Sequence, residues 1–356
     1  MILYVCEDVI KSLGKPNDIN QEHAIRIFNE ISLALQRGKH YVLIENFLKE
    51  SVNKTILDNS TAQGYLYFKK CNTSKSLSIL KLINVVLVIS FNGTKRVKSL
   101  NWYNDHTLLA LNPSKDTNLE VFEETHLLTE SLNDGKLFKA ITLRHMKWLG
   151  LLNSISISFL NRNGGGITLS DVYNQEKEMN SHLCITIVDS DKKYHDGPEG
   201  KTASTFRSHK DEEWIFSDYH IMKELSEIEN LLPTKFYEDR ANKPLIRRLS
   251  HIDLSYFDLK CGLTADIVKA DKGYNYWSNK GISMRPIEDI RELDDKHILM
   301  QGLGSQIMGK FLSRKKYQSD IIGIKHSDLS ENQRNEYKAI SNLVLNWCVC
   351  VNPPRL

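Results

Sequence analysis

The sequence predicts an α/β protein built on a mostly parallel sheet. Three features support this prediction: the alternation of apolar runs, the helical spacing of the last third, and the length of the chain. Apolar, β-branched runs of strand length alternate with runs of helical spacing, which is typical of sheets flanked by helices. Helical spacing dominates the last third of the chain. Its 356 residues give room for two or three domains. We expect a smaller α/β domain at 1–115, a sheet domain at 116–270, and a helical part at 271–356 packed on it.

The first domain is predicted from five segments. They are a strand running into a turn at 1–10, a helix at 24–35, a buried strand at 40–44, a helix at 45–57 and a central strand at 82–90. Acids follow two of these strands, at Glu7 with Asp8 and at Glu45. Ribonucleases of the PIN type also place acids at strand ends. A degenerate second nuclease is therefore one interpretation of this domain, and a scaffold or sensing role is the other.

The second domain begins after the turn formers around Pro113. Its predicted elements are a short strand at 119–123, a helix at 125–132, an alternating strand at 154–160, a helix at 167–179 and an apolar strand at 183–188. Further helices are predicted at 219–232 and 331–347. This alternation favours a parallel sheet with helices on its faces.

Composition excludes several classes of protein. The net charge is only +3, so any contact with nucleic acid must come from local basic patches. No window approaches the roughly 20 apolar residues of a membrane-spanning helix, and the amino terminus has no basic leader, so we expect a cytoplasmic protein. The six cysteines show no paired zinc-ligand spacing, and free thiols in a reducing compartment are the simpler interpretation.

Two carboxylates end the apolar strand at 183–188. Asp189 and Asp191 are separated by one residue, and they come where open α/β sheets bind ligands. Paired oxygen donors at such an edge favour a divalent cation, Mg²⁺ or Mn²⁺. A solvated turn after a strand is the alternative for a single pair of this kind.

Two more segments repeat the pattern of a strand followed by a functional turn. Glu123 ends the predicted strand at 119–123, although acids are also favoured at any helix start. Gly164, Gly165 and Gly166 lie between a predicted strand and a helix. Glycines there allow a phosphate or a neighbouring strand to approach the backbone closely, and a plain flexible turn is the alternative.

Taken together, these segments resemble the TOPRIM family, and within it the overcoming-lysogenization-defect nucleases. The matching pieces are VFEE at 121–124, NGGG at 163–166 and IVDSDKK at 187–193. The resemblance implies a sheet with metal ligands at Glu123 (or its neighbour Glu124), Asp189 and Asp191.

Two later segments also resemble these nucleases. EIEN at 227–230 corresponds to an element whose second acid, Glu229 here, helps to hold a second metal ion. FDLKCG at 257–262 corresponds to a segment that supplies an acid, Asp258, and a lysine, Lys260. The lysine would neutralise charge that develops on a phosphoryl group. An amphipathic helix and a strand edge are the alternatives.

The resemblance implies a Mg²⁺- or Mn²⁺-dependent nuclease that serves in bacterial anti-phage defence, with DNA favoured over RNA as substrate. Several basic residues are candidates for gripping the nucleic-acid backbone: Lys192, Lys193, Arg247, Arg248, Arg314, Lys315 and Lys316. No Walker motif occurs, so regulation would come from a second copy or from a partner such as a separate ATPase. The competing hypothesis is a non-catalytic subunit that binds nucleic acid or a partner in a larger defence complex.

Overall fold

The fold is described from a computed structural model. It covers residues 1–13, 15, 18–44, 79, 82–92, 106–116, 120–208, 216–239 and 242–351. The predicted helix at 45–57, with Glu45, lies outside these residues.

The first sheet contains four parallel strands in the spatial order β2-β1-β3-β4. They are β1 (Ile2–Val5), β2 (Tyr41–Ile44), β3 (Val85–Ile89) and β4 (Thr107–Leu111). Every residue of β1, β2 and β3 is buried, as expected for a parallel sheet covered on both faces. The helices are α1 (Glu7–Leu13) and α2 (Gln21–Gln36). The predictions at 24–35, 40–44 and 82–90 are confirmed, whereas the expected turn after β1 is helix α1.

The second sheet is also parallel, and its order is β7-β5-β8-β9. Its strands are β5 (His126–Thr129), β7 (Leu160–Asn163), β8 (Cys184–Val188) and β9 (Ser217–Ile221). The accompanying helices are α3 (Leu132–Trp148), α4 (Leu169–Met179) and α5 (Lys201–Ser208). In both sheets the first described strand is central, the second lies on one side, and the third and fourth lie on the other.

Two predicted elements before α3 are wrong. Residues Glu120–Phe122 form a single 3₁₀ turn, not a strand, and Val121 and Phe122 pack into the core without pairing in the sheet. Residues 126–129 form β5, not a helix, since they pair in register with β7 and β8. The helix begins only at Leu132.

Two other segments also differ from the prediction. The alternating run at 154–160 is divided between β6 (Ser156–Ile157) and the start of β7. The predicted helix at 219–232 consists of β9 and a 3₁₀ turn at Ile228–Leu231. Pairing of β9 with β8 from Ser217 to Ile221 overrides the helical spacing. The predictions at 167–179 and 183–188 are confirmed as α4 and β8.

The rest of the chain is mostly helical. It contains α6 (Lys243–Leu249), α7 (Ala265–Val268), α8 (Asp271–Asn279), α9 (Ile287–Arg291), α10 (Ile307–Leu312), α11 (Tyr317–Ile322) and α12 (Glu331–Cys348). Strand β10 (Gly262–Thr264) pairs with β11 (Ile298–Gln301), and β12 (Val349–Cys350) pairs with β6. The predicted helix at 331–347 is confirmed, and it packs on α3.

A large apolar core runs through most parts of the chain, and a second, smaller apolar cluster packs between the second sheet, α4 and α5. The Asn84 backbone NH donates to Asn346 Oδ1 at 2.8 Å, and the Thr125 hydroxyl donates to the Trp347 carbonyl at 2.7 Å. Helix α12 therefore joins the first sheet to the second. Within the described residues, no helix has both the length and the apolar character needed to span a membrane.

Candidate active site

The candidate site lies where the order of the second sheet reverses. From β5 the chain moves to β7 on one side and then crosses to β8 on the other, so a crevice opens between the carboxyl ends of β5 and β8. Glu130 directly follows β5, and Asp189 directly follows β8. The turn after β9 adds Glu227 and Glu229 to the same region, and their charges raise the pKa of Asp189. Carboxylates from three strand ends thus meet at one edge.

The loop after β8 holds Asp189 and Asp191 by backbone contacts. The NH groups of Ser190 and Asp191 both donate to the Ser226 carbonyl at 3.0 Å. The Ser190 hydroxyl donates to the Leu225 carbonyl at 2.8 Å. Asp191 has a φ of 54°, a left-handed conformation that aspartate tolerates better than most residues. These bonds fix the loop to the segment after β9.

Glu130 lies just before helix α3, and Asp134 lies in its first turn. Asp134 accepts hydrogen bonds from the Ser131 backbone NH at 2.8 Å and from the Ser131 hydroxyl at 2.6 Å, which caps the helix. Glu130 Oε1 is buried and has no hydrogen-bond partner in the described residues. A buried acceptor without a donor is costly unless something else satisfies it.

Two lysines partly neutralise the acids. Lys260 Nζ lies 3.0 Å from Glu227 Oε2 and 3.5 Å from Glu229 Oε2. Lys193 Nζ lies 3.4 Å from both Glu227 Oε1 and Asp258 Oδ2. Burial alone would lower the pKa of Lys260, but Glu227 and Glu229 raise it, so this lysine stays charged.

Negative charge nevertheless exceeds positive charge at this edge. Burial, and next the charge of Asp191, raise the pKa of Glu130 to about 7. Burial, and next the charge of Glu130, raise the pKa of Asp189 well above its ordinary value. Seven carboxyl groups share the region with the two lysines: Glu130, Asp134, Asp189, Asp191, Glu227, Glu229 and Asp258. Carboxyl groups therefore outnumber lysines in this region.

The donor set fits a hard divalent cation. All donors are carboxylate oxygens, which Mg²⁺ and Mn²⁺ prefer. The carboxylates do not form a closed cage, since within the described residues no three of them have oxygens that all lie within 4.8 Å of one another. Mg²⁺ is commonly held by one or two carboxylates and keeps waters or phosphate oxygens as its other ligands, so an open arrangement suits it.

The structure does not bring Glu123 to this cluster, which corrects the sequence prediction. Glu123 precedes β5 and lies at the opposite, amino edge of the sheet, where its carboxylate pairs with Lys39 and lies 3.8 Å from Arg37. Glu124 accepts a hydrogen bond from Ser158. The prediction took 119–123 as the strand, whereas the strand is β5 and its carboxyl end carries Glu130.

Glu130 and Asp134 are the site residues that the sequence prediction missed. A signal for the helix was present: Ser131 and Asp134, directly after Glu130, have the spacing of a capping box. The helix start could have been placed from it.

Asp258, a predicted metal ligand, is held by hydrogen bonds within its own segment. Asp258 Oδ1 accepts the Lys260 and Cys261 backbone NH groups at 2.9 and 2.7 Å, and its other oxygen faces Lys193. Both oxygens are occupied, so Asp258 positions a lysine and is not an available metal ligand.

At Gly164 a Cβ would lie 2.9 Å from Leu169 Cα, so this glycine permits close packing of α4. Gly165 and Gly166 both have positive φ values, of 68° and 62°.

The basic candidates lie in different surroundings. Lys193 is held among the acids, whereas Lys192 is half-buried beside it. Arg247 and Arg248 are exposed on α6. The run from Arg314 to Lys316 is exposed between α10 and α11.

A cleft of about 500 Å³ borders the carboxylates. Asp134 and Glu229 line one part of it, and residues around α10 line another, among them Gln306 and Lys310. Its lining includes charged and polar side chains, and it lies beside the acids, which suits a polar, charged ligand.

No protein-family model matches this chain, and neither a curated protein nor a solved structure matches it. Function is therefore inferred from the site itself.

Proposed function

We propose that the protein is a Mg²⁺- or Mn²⁺-dependent nuclease that hydrolyses phosphodiester bonds at the carboxyl edge of its second sheet. The observation that carries the proposal is that Glu130 and Asp189 follow neighbouring strands at the switch point, each with a raised pKa, together with the unsatisfied Glu130 oxygen. The TOPRIM resemblance at 187–193 and 227–230 supports this reaction class.

Three acids are the proposed holders of the ion: Glu130, Asp189 and Asp191. Asp134 lies beside them, and both of its oxygens cap α3. When bound, the ion would activate a water and stabilise the leaving oxygen of the phosphodiester. The chain's own part is to fix the acids. The Ser226 carbonyl holds the loop of Asp189 and Asp191, and the cap of α3 holds Asp134.

Lys260 has a separate role in this proposal. It lies between Glu227 and Glu229 and stays charged, so it would stabilise negative charge that develops on the phosphoryl group. Glu229 orients this lysine and lines the cleft. The cleft beside α10 would receive the nucleic-acid strand, with Lys310 as a phosphate contact. A role in bacterial anti-phage defence, with DNA as the preferred substrate, is part of the proposal and follows from the resemblance.

The test compares two glutamates seven positions apart. Glu130→Gln removes a proposed ligand, and we expect Mg²⁺-dependent cleavage of plasmid DNA, single-stranded DNA or RNA to fall by at least about 10²-fold, since removal of a group that stabilises the reacting centre has effects of this size. Glu123→Gln, at the amino edge, should retain cleavage. Asp189→Asn should behave like Glu130→Gln.

The reverse outcome would overturn the assignment: cleavage kept by Glu130→Gln and lost by Glu123→Gln. Salt-sensitive nucleic-acid binding by the wild-type protein, with no products in Mg²⁺ or Mn²⁺, would instead support the non-catalytic binding subunit.

A further inference from the structure

A second cluster of metal-ligating side chains lies at the amino edge of the same sheet, away from the carboxylates. His126 is the first residue of β5, Glu176 lies on α4, and His182 lies in the loop before β8. One ligand atom from each lies within 4.8 Å of the others, and no other group of three among the described residues meets this condition. The side chains of His126 and Glu176 are only 5% and 2% exposed.

The two carboxylate oxygens of Glu176 have different partners, His126 and Arg162. His126 Nδ1 lies 2.9 Å from Glu176 Oε2, and Arg162 Nη2 donates to Glu176 Oε1 at 3.2 Å. Arg162 therefore orients the carboxylate and leaves Oε2 directed at the histidines. Such a partner behind a ligating carboxylate is a usual feature of metal sites.

The two histidines are arranged face to face. Their ring centroids are 4.0 Å apart and the planes differ by 20°. A neutral imidazole ring offers one nitrogen lone pair to a cation. His182 also contacts the Ser181 hydroxyl at 2.7 Å and lies 3.8 Å from Glu120 Oε2.

We propose that His126, Glu176 and His182 bind a transition-metal ion, with Zn²⁺ as the best fit. Two imidazoles and one carboxylate are a known zinc donor set, and the fourth position would be taken by Glu120 or a water. Bonds of about 2.0–2.1 Å in tetrahedral geometry separate neighbouring ligand atoms by roughly 3.3 Å. The distance between His126 Nδ1 and Glu176 Oε2, 2.9 Å here, would increase slightly on binding, and His182 would move toward the ion.

Such an ion would link three elements at one point: the start of β5, the end of α4 and the loop before β8. It would add to the backbone pairing of β5 with β8 and to the hydrogen bond between His126 and Glu176. Its place is the amino edge, so it would stabilise the sheet without touching the proposed Mg²⁺ site. The inference does not depend on the proposed function.

The test measures metal directly. The full chain is treated with EDTA, exchanged into buffer with excess Mg²⁺ to occupy the carboxylate edge, and titrated with Zn²⁺ by calorimetry. Co²⁺ absorption then reports the coordination geometry. We expect one Zn²⁺ per chain, a tetrahedral Co²⁺ spectrum and a higher unfolding temperature with Zn²⁺ than with EDTA.

Variants locate the bound ion. His182→Ala and the shape-preserving Glu176→Gln should each weaken Zn²⁺ binding by at least about 100-fold, since even groups behind the ligands contribute 10–100-fold. His195→Ala, an exposed histidine elsewhere, and Asp189→Asn should leave Zn²⁺ binding unchanged. Circular dichroism checks that Glu176→Gln still folds. Absence of saturable Zn²⁺ binding, or equal binding by wild type, His182→Ala and Glu176→Gln, would overturn the proposal and leave a metal-free hydrogen-bonded cluster.

Discussion

Asp191 can face the site only because position 200 has no side chain. A Cβ at Gly200 would lie 2.5 Å from the Asp191 Cβ, a separation that real side chains do not show. The Gly200 NH also donates to the Ser190 carbonyl at 2.8 Å, which ties α5 to the loop after β8. The loop that carries two of the proposed ligands therefore depends on a glycine that is not itself a ligand.

Gly200→Ala tests this dependence. The added methyl group should displace Asp191 from the ligand set while leaving the core intact, because the clash is with a single side chain. We expect a higher Mn²⁺ concentration for half-maximal cleavage, by about tenfold or more as for other groups that position ligands, with a small change in unfolding free energy. Gly323→Ala, at a position with φ of −80°, is the control and should match wild type. Wild-type Mn²⁺ dependence in Gly200→Ala would contradict this role.

The turn after β9 is an element fixed by one buried amide. Asn230 Nδ2 donates to the carbonyls of Leu254 at 2.7 Å and Phe257 at 2.9 Å, and its Oδ1 accepts the Glu227 backbone NH at 2.9 Å. Asn230 is buried. It thus connects the turn that carries Glu227 and Glu229 to the segment that carries Lys260.

Asn230→Ala should destabilise the protein. Three buried backbone groups would lose their partner at about 1 kcal/mol each, so we expect a loss of about 3 kcal/mol in unfolding free energy, measured by urea titration followed by circular dichroism. Asn275→Ala, at an exposed position within α8, should change it by less than about 0.5 kcal/mol. Equal stability of the two variants would show that the amide is not needed.

Elements with long periodic patterns could be predicted from the sequence, and short elements that depend on partners could not. Helices α2 and α12 repeat apolar residues over 16 and 18 positions, so their spacing is unambiguous. Strand β5 has four residues, too few to show a period, and its identity comes from pairing with β7 and β8. The error moved the expected glutamate from the carboxyl edge to the amino edge.

Some residues of the candidate site could be predicted from the sequence, and one glutamate could not. The placement of Asp189 and Asp191 after a buried strand followed from the apolar run before them, and the structure agrees. Glu229 and Lys260 also lie at this edge, although β9 was taken for a helix. Glu130 was missed because its strand was missed. A strand end can be read from sequence only when the strand itself is recognised.

At the scale of the whole molecule, the second sheet separates two kinds of surroundings. Its carboxyl edge collects acids that exceed their lysine partners, whereas its amino edge carries the imidazole cluster and the pairing of Glu123 with Lys39. The first sheet has the same strand order, and at its own switch point Asp8 accepts hydrogen bonds from Ser90 and Asn92. That aspartate has hydrogen-bond partners within the fold, and the scaffold and PIN-like interpretations of the first domain both stay predictions.

The excess of acid makes the stability of the whole molecule depend on pH. Burial and Asp191 raise the pKa of Glu130 from 4.5 to about 7, so between these values the folded chain keeps a proton that the unfolded chain has lost. Unfolding free energy therefore falls as pH rises through this window; at 1.36 kcal/mol per pH unit, the loss from Glu130 is about 3 kcal/mol and is complete above pH 7. Asp189, whose pKa is also raised, acts in the same direction.

We expect the metal-free protein to have a higher unfolding temperature at pH 5.5 than at pH 8. Glu130→Gln should flatten this dependence, because its neutral amide resembles the protonated carboxyl at every pH. Saturating Mg²⁺ should raise the unfolding temperature at pH 8 more than at pH 5.5, since the ion favours the ionised carboxylates and competes with protons for them. Scanning calorimetry at both pH values, with EDTA or Mg²⁺, measures all three effects.

Glu123→Gln should follow the wild-type pH dependence, since that carboxylate is half-exposed and pairs with Lys39 at the other edge. A wild-type slope in Glu130→Gln would show that the glutamate is not the group that titrates.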